Sequence, residues 1–448
     1  MDSEEVYCQA FADDVVLVFS GQKFPKIEEK ANRTLALVHD WGVRNKLGFA
    51  AHKTNAIIIT RKLKYDTPQL HMGGTNIKIV DEIKLLGLII DKKLTFHSHV
   101  VHICRKVTNI YKHLVKTAKI SWGLSSEIIR TIYVSVVEPI VLYAASVWAS
   151  ASQKISIQKH LNTLQRGFAQ KICKAYRTVS LNSALILTGL LPLDIRLREA
   201  ARLYEAKRGK PQEDILGDRK VEVKELFIEA DHPAKEEEIT FSTIEAAEIL
   251  TKINEIRNNR GDVKLYWIKA HCGILGNERA DELAKLAAET SKQAPVYDCF
   301  PLSYAKRQLR DNTINTWQER YTKAETGVVT RRFFPDVTES YKTIEKINVN
   351  NLISQILTGH GGFKAYLFRF KLAESPYCSC DNQTSQTIEH ILIDCPKFQL
   401  ARLECELRMG FVLQEETLNR AINNNDSRTH FFKFAISSVE KIVKENKT

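Results

Sequence analysis

Nowhere in the 448 residues is there an apolar run of the length that a membrane span needs. The opening stretch MDSEEVYCQA lacks the basic-then-apolar order of a secretory leader and is acidic instead. Cysteine is sparse: nine residues are scattered along the chain, with three gathered in the window 378–395. Without a leader, reduced thiols and an intracellular location, nucleus or cytoplasm, are expected, with no membrane partner. A tight cysteine cluster then reads as metal ligands rather than disulfides. There is no internal repeat and no low-complexity tract, which argues against a solenoid or a compositionally biased tail.

What is present is ordinary core-forming material with a basic surplus. Hydrophobic residues make up 44% and charged residues 26%, the balance of a globular protein. The length suggests two to four domains. Lys plus Arg is 65 against 53 Asp plus Glu, a net charge of +12. That surplus suits a polyanion partner, of which nucleic acid is the commonest.

Residues 6–20 read as strand, turn, strand, with Asp13-Asp14 at the tip of a buried hairpin. A helix is expected from about Ile27 to Gly42, then strand-like runs in NAIIIT and IKLLGLIID. In HVVHICRKVTNIYKHLVKTAK, the apolar positions Val100, Ile103, Val107, Ile110, Leu114 and Ala118 keep helical spacing. Arg105, Lys106, Lys112, Lys116 and Lys119 cover much of the remaining surface and are the candidate nucleic-acid contacts. Helices continue to about Lys210, a charged connector follows, and a strand-like VKLYWIKAH leads into a helix NERADELAKLAAE.

Three clusters carry chemistry. Paired carboxylates at a hairpin tip suit a divalent cation such as magnesium, which takes oxygen ligands; two turn-forming aspartates in solvent are the alternative. LYWIKAHCGILGNERADELAKLAAE sets His271 ahead of a helix on which Glu278 and Asp281 stand three apart, on neighbouring faces. Cys378, Cys380, His390 and Cys395 read Cys-x-Cys-x9-His-x4-Cys. Three thiolates and one imidazole form a closed tetrahedral set, the structural arrangement for zinc. Cys405 falls outside it and is expected to be a buried helix residue.

The order of these motifs resembles the polymerase polyproteins of non-LTR (LINE-like) retrotransposons that carry ribonuclease H. FADDVVLVFSG is similar to the aromatic-x-Asp-Asp motif of reverse transcriptases, and KLGFAAHKTNAIIIT to the next palm motif. IKLLGLIID looks like the strand pair that grips the primer. The histidine stretch is similar to the last strand, loop and helix of ribonuclease H, and the cysteine cluster to the segment that follows it. The resemblance implies an α+β multidomain protein: a partial reverse-transcriptase palm over 1–93 and a helical thumb or connection over 94–210. A linker over 211–250 and the C-terminal remnant of a ribonuclease H α/β domain over 251–292 come next. A helical connector over 293–370 and a small zinc-binding knot with a terminal helix over 371–448 complete it.

By that resemblance Asp13 binds catalytic magnesium, Asp14 supports it, and Lys53 sits near the leaving pyrophosphate, with a plain surface lysine as the other reading. His271 helps product leave, Asn277 and Glu278 begin the helix, and Asp281 completes a metal site. Implied partners are RNA, DNA, RNA–DNA hybrid and, if the chain is active, deoxynucleotides. In the family the first catalytic aspartate lies upstream of the Asp-Asp hairpin, and here Met1 stands twelve residues before Asp13. Residues 239–262 are too few for the remaining ribonuclease H carboxylates. The chain is therefore expected to be 5′-truncated and internally deleted. Two readings follow: a reverse transcriptase with ribonuclease H, or a catalytically inactive nucleic-acid- and zinc-binding protein of the same descent.

Overall fold

Apolar spacing and local capping explain most elements of the computed structural model, which describes residues 6–117, 124–217, 219–222, 244–259, 273, 275–290 and 299–446. The architecture is mixed α+β and mostly helical. It opens with a two-stranded antiparallel ribbon, β1 (Tyr7–Phe11) and β2 (Asp14–Val18), in which Phe11 pairs with Asp14. Helix α1 (Phe24–Arg44) follows, longer at both ends than its apolar spacing suggests, with Pro25 in its first turn. Then come β3 (Asn55–Ala56), β4 (Leu70–Met72), β5 (Thr75–Ile79), β6 (Glu82–Leu85) and β7 (Leu88–Asp91).

The order β3-β5-β4 forms one small sheet and β6-β7 a separate hairpin. Only Asn55 and Ala56 of NAIIIT are strand, paired parallel to β5. The β4–β5 hairpin was not expected from the sequence. It turns at Gly73 and Gly74, both with positive φ, where a side chain would be strained. Leu35, Met72 and Ile77 form the small core beneath these strands, with Leu17 against it.

From α2 (His97–Thr117) the chain is helical. α3 (Ser126–Ile132), α4 (Glu138–Leu142), α5 (Ala145–Trp148), α6 (Ile155–Ile172), α7 (Leu181–Thr188) and α8 (Leu193–Ala206) follow. Ser125 and Ser180 cap α3 and α7 through their hydroxyls. α9 (Glu213–Leu216), β8 (Lys220–Val221), α10 (Ile244–Asn258), α11 (Leu275–Thr290) and β9 (Cys299–Phe300) come next, β8 and β9 pairing in parallel. The chain then runs through α12 (Leu302–Thr322), α13 (Val328–Phe333), α14 (Val337–Ile344), α15 (Asn351–Thr358), α16 (Lys364–Arg369), α17 (Gln399–Met409), α18 (Leu418–Asn423) and α19 (Asn425–Glu445).

Two compact units result: residues 1–206 with 303–448, and residues 207–302 inserted between them in sequence. In the first unit one core runs from Phe96 to Ala201 and on from Trp317 to Ile442, centred on Trp148, Phe168, Trp317 and Phe431. The helices before and after the insertion are therefore one packed body. Asp194, 1% exposed, fastens them: both its carboxylate oxygens accept from Arg320 Nη1, at 2.8 and 3.0 Å. Glu199 on α8 takes Arg310 of α12 at 3.3 Å. Among the described residues no single helix is long and apolar enough to cross a membrane.

Candidate metal centre and basic face

The four Cys/His side chains converge. Residues 377–385 fold into a tight turn, with Tyr377 bridged to Ser385 and the Cys378 amide donating to the Thr384 carbonyl. Asp381 holds the turn by accepting from the Gln383 and Thr384 amides at 2.9 Å each. The Thr384 hydroxyl and those two amides pull the Asp381 carboxyl well below the ordinary carboxylate range. A short π-helical turn, His390–Asp394, presents the imidazole, and the Cys395 amide closes onto the His390 carbonyl at 2.7 Å.

The ligand atoms of Cys378, Cys380, His390 and Cys395 all lie within 4.8 Å of one another. Cys378 Sγ is 3.9 Å from Cys395 Sγ, and Cys380 Sγ is 3.3 Å from His390 Nε2. A zinc tetrahedron has edges of about 3.8 Å between sulfurs and about 3.5 Å between sulfur and nitrogen. The spacing fits. Desolvation first, then the crowding of the Cys378 and Cys395 thiols, pushes the Cys380 thiol up to about 12. Burial likewise raises Cys395. Burial lowers His390, so its imidazole is neutral and available as a ligand. Cys405 is buried on α17, its thiol 3.8 Å from Met409 Sδ.

The groups that support this cluster carry no signature in the sequence. Gln386 is fully buried, and its Oε1 accepts from the Lys364 amide at 2.9 Å and from Asn446 Nδ2 at 2.6 Å. With both lone pairs engaged, the amide has one orientation, and its Nε2 donates to Cys378 Sγ at 3.7 Å. Lys397 Nζ reaches both Ser379 Oγ and Glu445 Oε2, at 2.7 and 3.0 Å. The last turn of α19 thus braces the cysteine turn from two sides.

The carboxylate motifs are placed differently. The Asp-Asp hairpin is exposed, not buried: β1 and the start of β2 face solvent, and Asp13 and Asp14 stand at its open tip. Ala12, with φ +53°, makes the turn. Only Val16 and Leu17 of β2 are partly covered, because the ribbon pairs with no further strand among the described residues. Lys53 is exposed in a 3-10 turn, Ala51–Lys53. Among the described residues no third ligand joins Asp13 and Asp14, and the Cys/His set is the one convergent metal-ligand group. Asp13 and Asp14 do not by themselves fit a two-metal site.

Asp281 is exposed on α11, Asn277 and Glu278 are half-buried there, and the Gly273 amide donates to Glu278 Oε1 at 3.3 Å. His271 and Lys119 lie outside the described residues.

Helix α2 divides as its sequence pattern implies. His99, Val100, Ile103, Val107 and Leu114 are buried, while Arg105, Lys106, Lys112 and Lys116 are exposed. No Asp or Glu occurs between residues 92 and 126, so nothing on this helix offsets those cations.

The ribonuclease H family model matches residues 223–289, beginning within the segment expected to be a linker and ending at α11. The putative 115 kDa protein of the type-1 retrotransposable element R1DM from Drosophila melanogaster is 25% identical over 88% of this chain and 31% of its own length. A retrovirus-related Pol polyprotein from type-1 element R1 4 of Nasonia vitripennis is 23% identical over 87% of this chain and 83% of its own. The chain is a homologue of non-LTR retrotransposon Pol polyproteins with ribonuclease H. The RNA-directed DNA polymerase from the mobile element jockey of Drosophila funebris is 25% identical over 45% of this chain and 22% of that polymerase. This Pol homologue spans about a third, 31%, of the length of the Drosophila melanogaster relative. No solved structure matches it.

Proposed function

We propose that this Pol homologue is a nucleic-acid-binding segment of a reverse transcriptase/ribonuclease H polyprotein, holding RNA, DNA or their hybrid through α2 and carrying structural zinc. The acid-free helix with four exposed cations carries the binding reading. Phosphates are its natural partner, because backbone charge is the same in every sequence. Kinship with Pol polyproteins and the ribonuclease H match support the same assignment. Zinc, held by Cys378, Cys380, His390 and Cys395, would crosslink the turn at 377–385 to the helical turn at His390–Asp394.

Polymerase and hybrid-cleaving activity are the second reading, favoured by the Asp-Asp hairpin and by Asp281 within the ribonuclease H match. Asp13, Asp14 and Asp281 would bind magnesium only alongside further carboxylates. Lys53 and His271 would then assist at the pyrophosphate and at product release.

Binding of a labelled RNA–DNA hybrid, followed by fluorescence anisotropy, tests the first reading. With about four phosphates neutralised, affinity should fall about a hundredfold between 50 and 200 mM salt. Replacing Arg105, Lys106, Lys112 and Lys116 by Gln should flatten that dependence. Affinity indifferent to salt overturns it. Magnesium-dependent primer extension or hybrid cleavage that disappears in Asp13→Ala or Asp281→Ala would instead establish the catalytic reading.

The zinc assignment makes Gln386 a positioning residue for the Cys378 thiolate. Gln386→Glu keeps an acceptor for Lys364 and Asn446 but removes the N–H donor to sulfur. Zinc affinity, measured by competition with a chromogenic chelator, should fall about 10- to 100-fold. An unchanged affinity would show that this hydrogen bond does not support the metal.

A further inference from the structure

Away from α2, the helical unit brings two other acid-free segments together. Residues 139–193 contain no Asp or Glu, and neither do residues 346–373. They meet where Asn351 Nδ2 donates to the Lys174 carbonyl at 3.1 Å and Ser354 Oγ to the Cys173 carbonyl at 2.5 Å. Along this seam three rings succeed one another: His360 to Tyr366 at 5.1 Å between centroids, and Tyr366 to Phe370 at 4.9 Å.

The rings are fixed in place from below. The Tyr366 hydroxyl pairs with Thr178 Oγ1, which His360 Nδ1 also approaches at 3.3 Å. At the other end Phe370 is 42% exposed. Arg369 stands over it, its guanidinium carbon 5.9 Å from the ring centroid. Arg177 and Lys371 are exposed nearby in sequence to Thr178 and Phe370. Among the described residues no carboxylate pairs with Arg177, Arg369 or Lys371. His360 is held below its ordinary pKa by burial first and then by the Arg369 and Arg166 cations. Glu374, exposed just beyond Lys371, is the first acid after this segment.

We propose that this seam is a base-stacking site for single-stranded nucleic acid. Phe370 receives an unpaired base, Tyr366 and His360 back it from the core, and Arg177, Arg369 and Lys371 hold the adjoining phosphates. An exposed ring flanked by cations that no carboxylate pairs is the combination that binds single strands without reading sequence. A duplex keeps its bases stacked on one another and gains only the phosphate contacts. The proposal rests on the reading that this chain binds nucleic acid, and it adds a second surface with a different preference from α2.

Anisotropy of the full chain with a twelve-nucleotide oligo-dT, an RNA of the same length and a twenty-base-pair duplex tests it. Phe370→Ala should weaken both single strands roughly 5- to 100-fold, leave the duplex unchanged and preserve the salt slope. Phe370→Trp should restore binding, since it returns a stacking face. Arg177→Gln with Lys371→Gln should make the salt slope shallower on single strands. Loss on RNA alone would assign the site to RNA, and equal loss on RNA and DNA to either strand. Single-strand affinity unchanged in Phe370→Ala, or lost equally on the duplex, overturns the stacking site. If wild type binds the duplex and loses it with the α2 glutamines while Phe370→Ala changes nothing, the stacking site alone fails. If wild type binds neither form, the functional reading fails with it.

Discussion

Purified wild-type protein should carry one zinc ion per chain, and Cys378→Ser, Cys380→Ser and Cys395→Ser should each release it, while Cys405→Ser keeps it. The four ligand atoms already lie within 4.8 Å of one another, so binding needs no rearrangement of the chain around them. Structural zinc sites bind with apparent free energies of about 10–16 kcal/mol near neutral pH, and binding energy of that kind is folding energy. Losing one thiolate of three removes much of it, and the turn around Tyr377 to Pro396 should loosen together with the end of α19 that braces it.

The pH dependence has a definite sign. Cys380 and Cys395 have raised pKa values in the metal-free fold, Cys380 to about 12, so they keep their protons at neutral pH. Zinc must displace those protons, and lowering the pH favours the metal-free form. His390, lowered by burial, begins to compete only below the ordinary histidine range. Occupancy should therefore decline steadily as pH falls from about 8 towards about 5. Elemental analysis of wild type and the four variants checks the assignment. Absence of zinc from wild type, or equal loss from Cys405→Ser, contradicts it.

Asp194→Ala should be among the most destabilising single changes in the helical core. The carboxylate is 1% exposed and accepts twice from Arg320, with Arg198 Nη2 3.6 Å away. Removing it strands a guanidinium in a half-buried position, a loss of about 3–5 kcal/mol where a buried pair is broken from one side. Replacing both partners, Asp194→Leu with Arg320→Met, should recover most of that, because the one charge left without its partner, Arg198, is partly exposed to water. Glu29→Ala, which breaks an exposed pair with Arg33 on α1, should change stability by less than about 1 kcal/mol. Urea unfolding followed by circular dichroism compares the three. Asp194→Ala unfolding at the wild-type midpoint would show that α8 and α12 are not joined through this carboxylate.

The parts of this molecule that are legible in the sequence are those whose cause is local. The apolar spacing of Val100, Ile103, Val107 and Leu114 predicts a helix with a basic outer face, and α2 has that form. The four ligands at 378–395 are close in sequence, so spacing alone picks out the same residues that the fold brings together. The IKLLGLIID hairpin turns at Leu86-Gly87, as two apolar runs around a glycine suggest. The Asp-Asp hairpin is exposed against expectation because valine-rich strands signal a sheet but not what covers it.

β4 and β5 are too short to show alternation, and the one local signal for them is the Gly73-Gly74 pair at their turn. The union of residues 94–206 with 303–448 depends on contacts more than a hundred residues apart, such as Asp194 with Arg320, and no window of sequence holds both ends. Gln386 is hidden because its partners Cys378, Lys364 and Asn446 come from three separate stretches, and Tyr366 because Thr178, which fixes its hydroxyl, stands 188 residues away. The basic surfaces, by contrast, are written into the chain as long acid-free stretches, which any count of Asp and Glu along it makes visible.

Photo-crosslinking of a thiouridine-substituted RNA to the full chain, with the adducts located by mass spectrometry, tests the nucleic-acid assignment most directly. Adducts should fall on α2 from Arg105 to Lys116 and along the seam from Arg177 to Phe370, and should vanish at high salt. Adducts confined to residues 207–302, or none at any salt, would contradict the account.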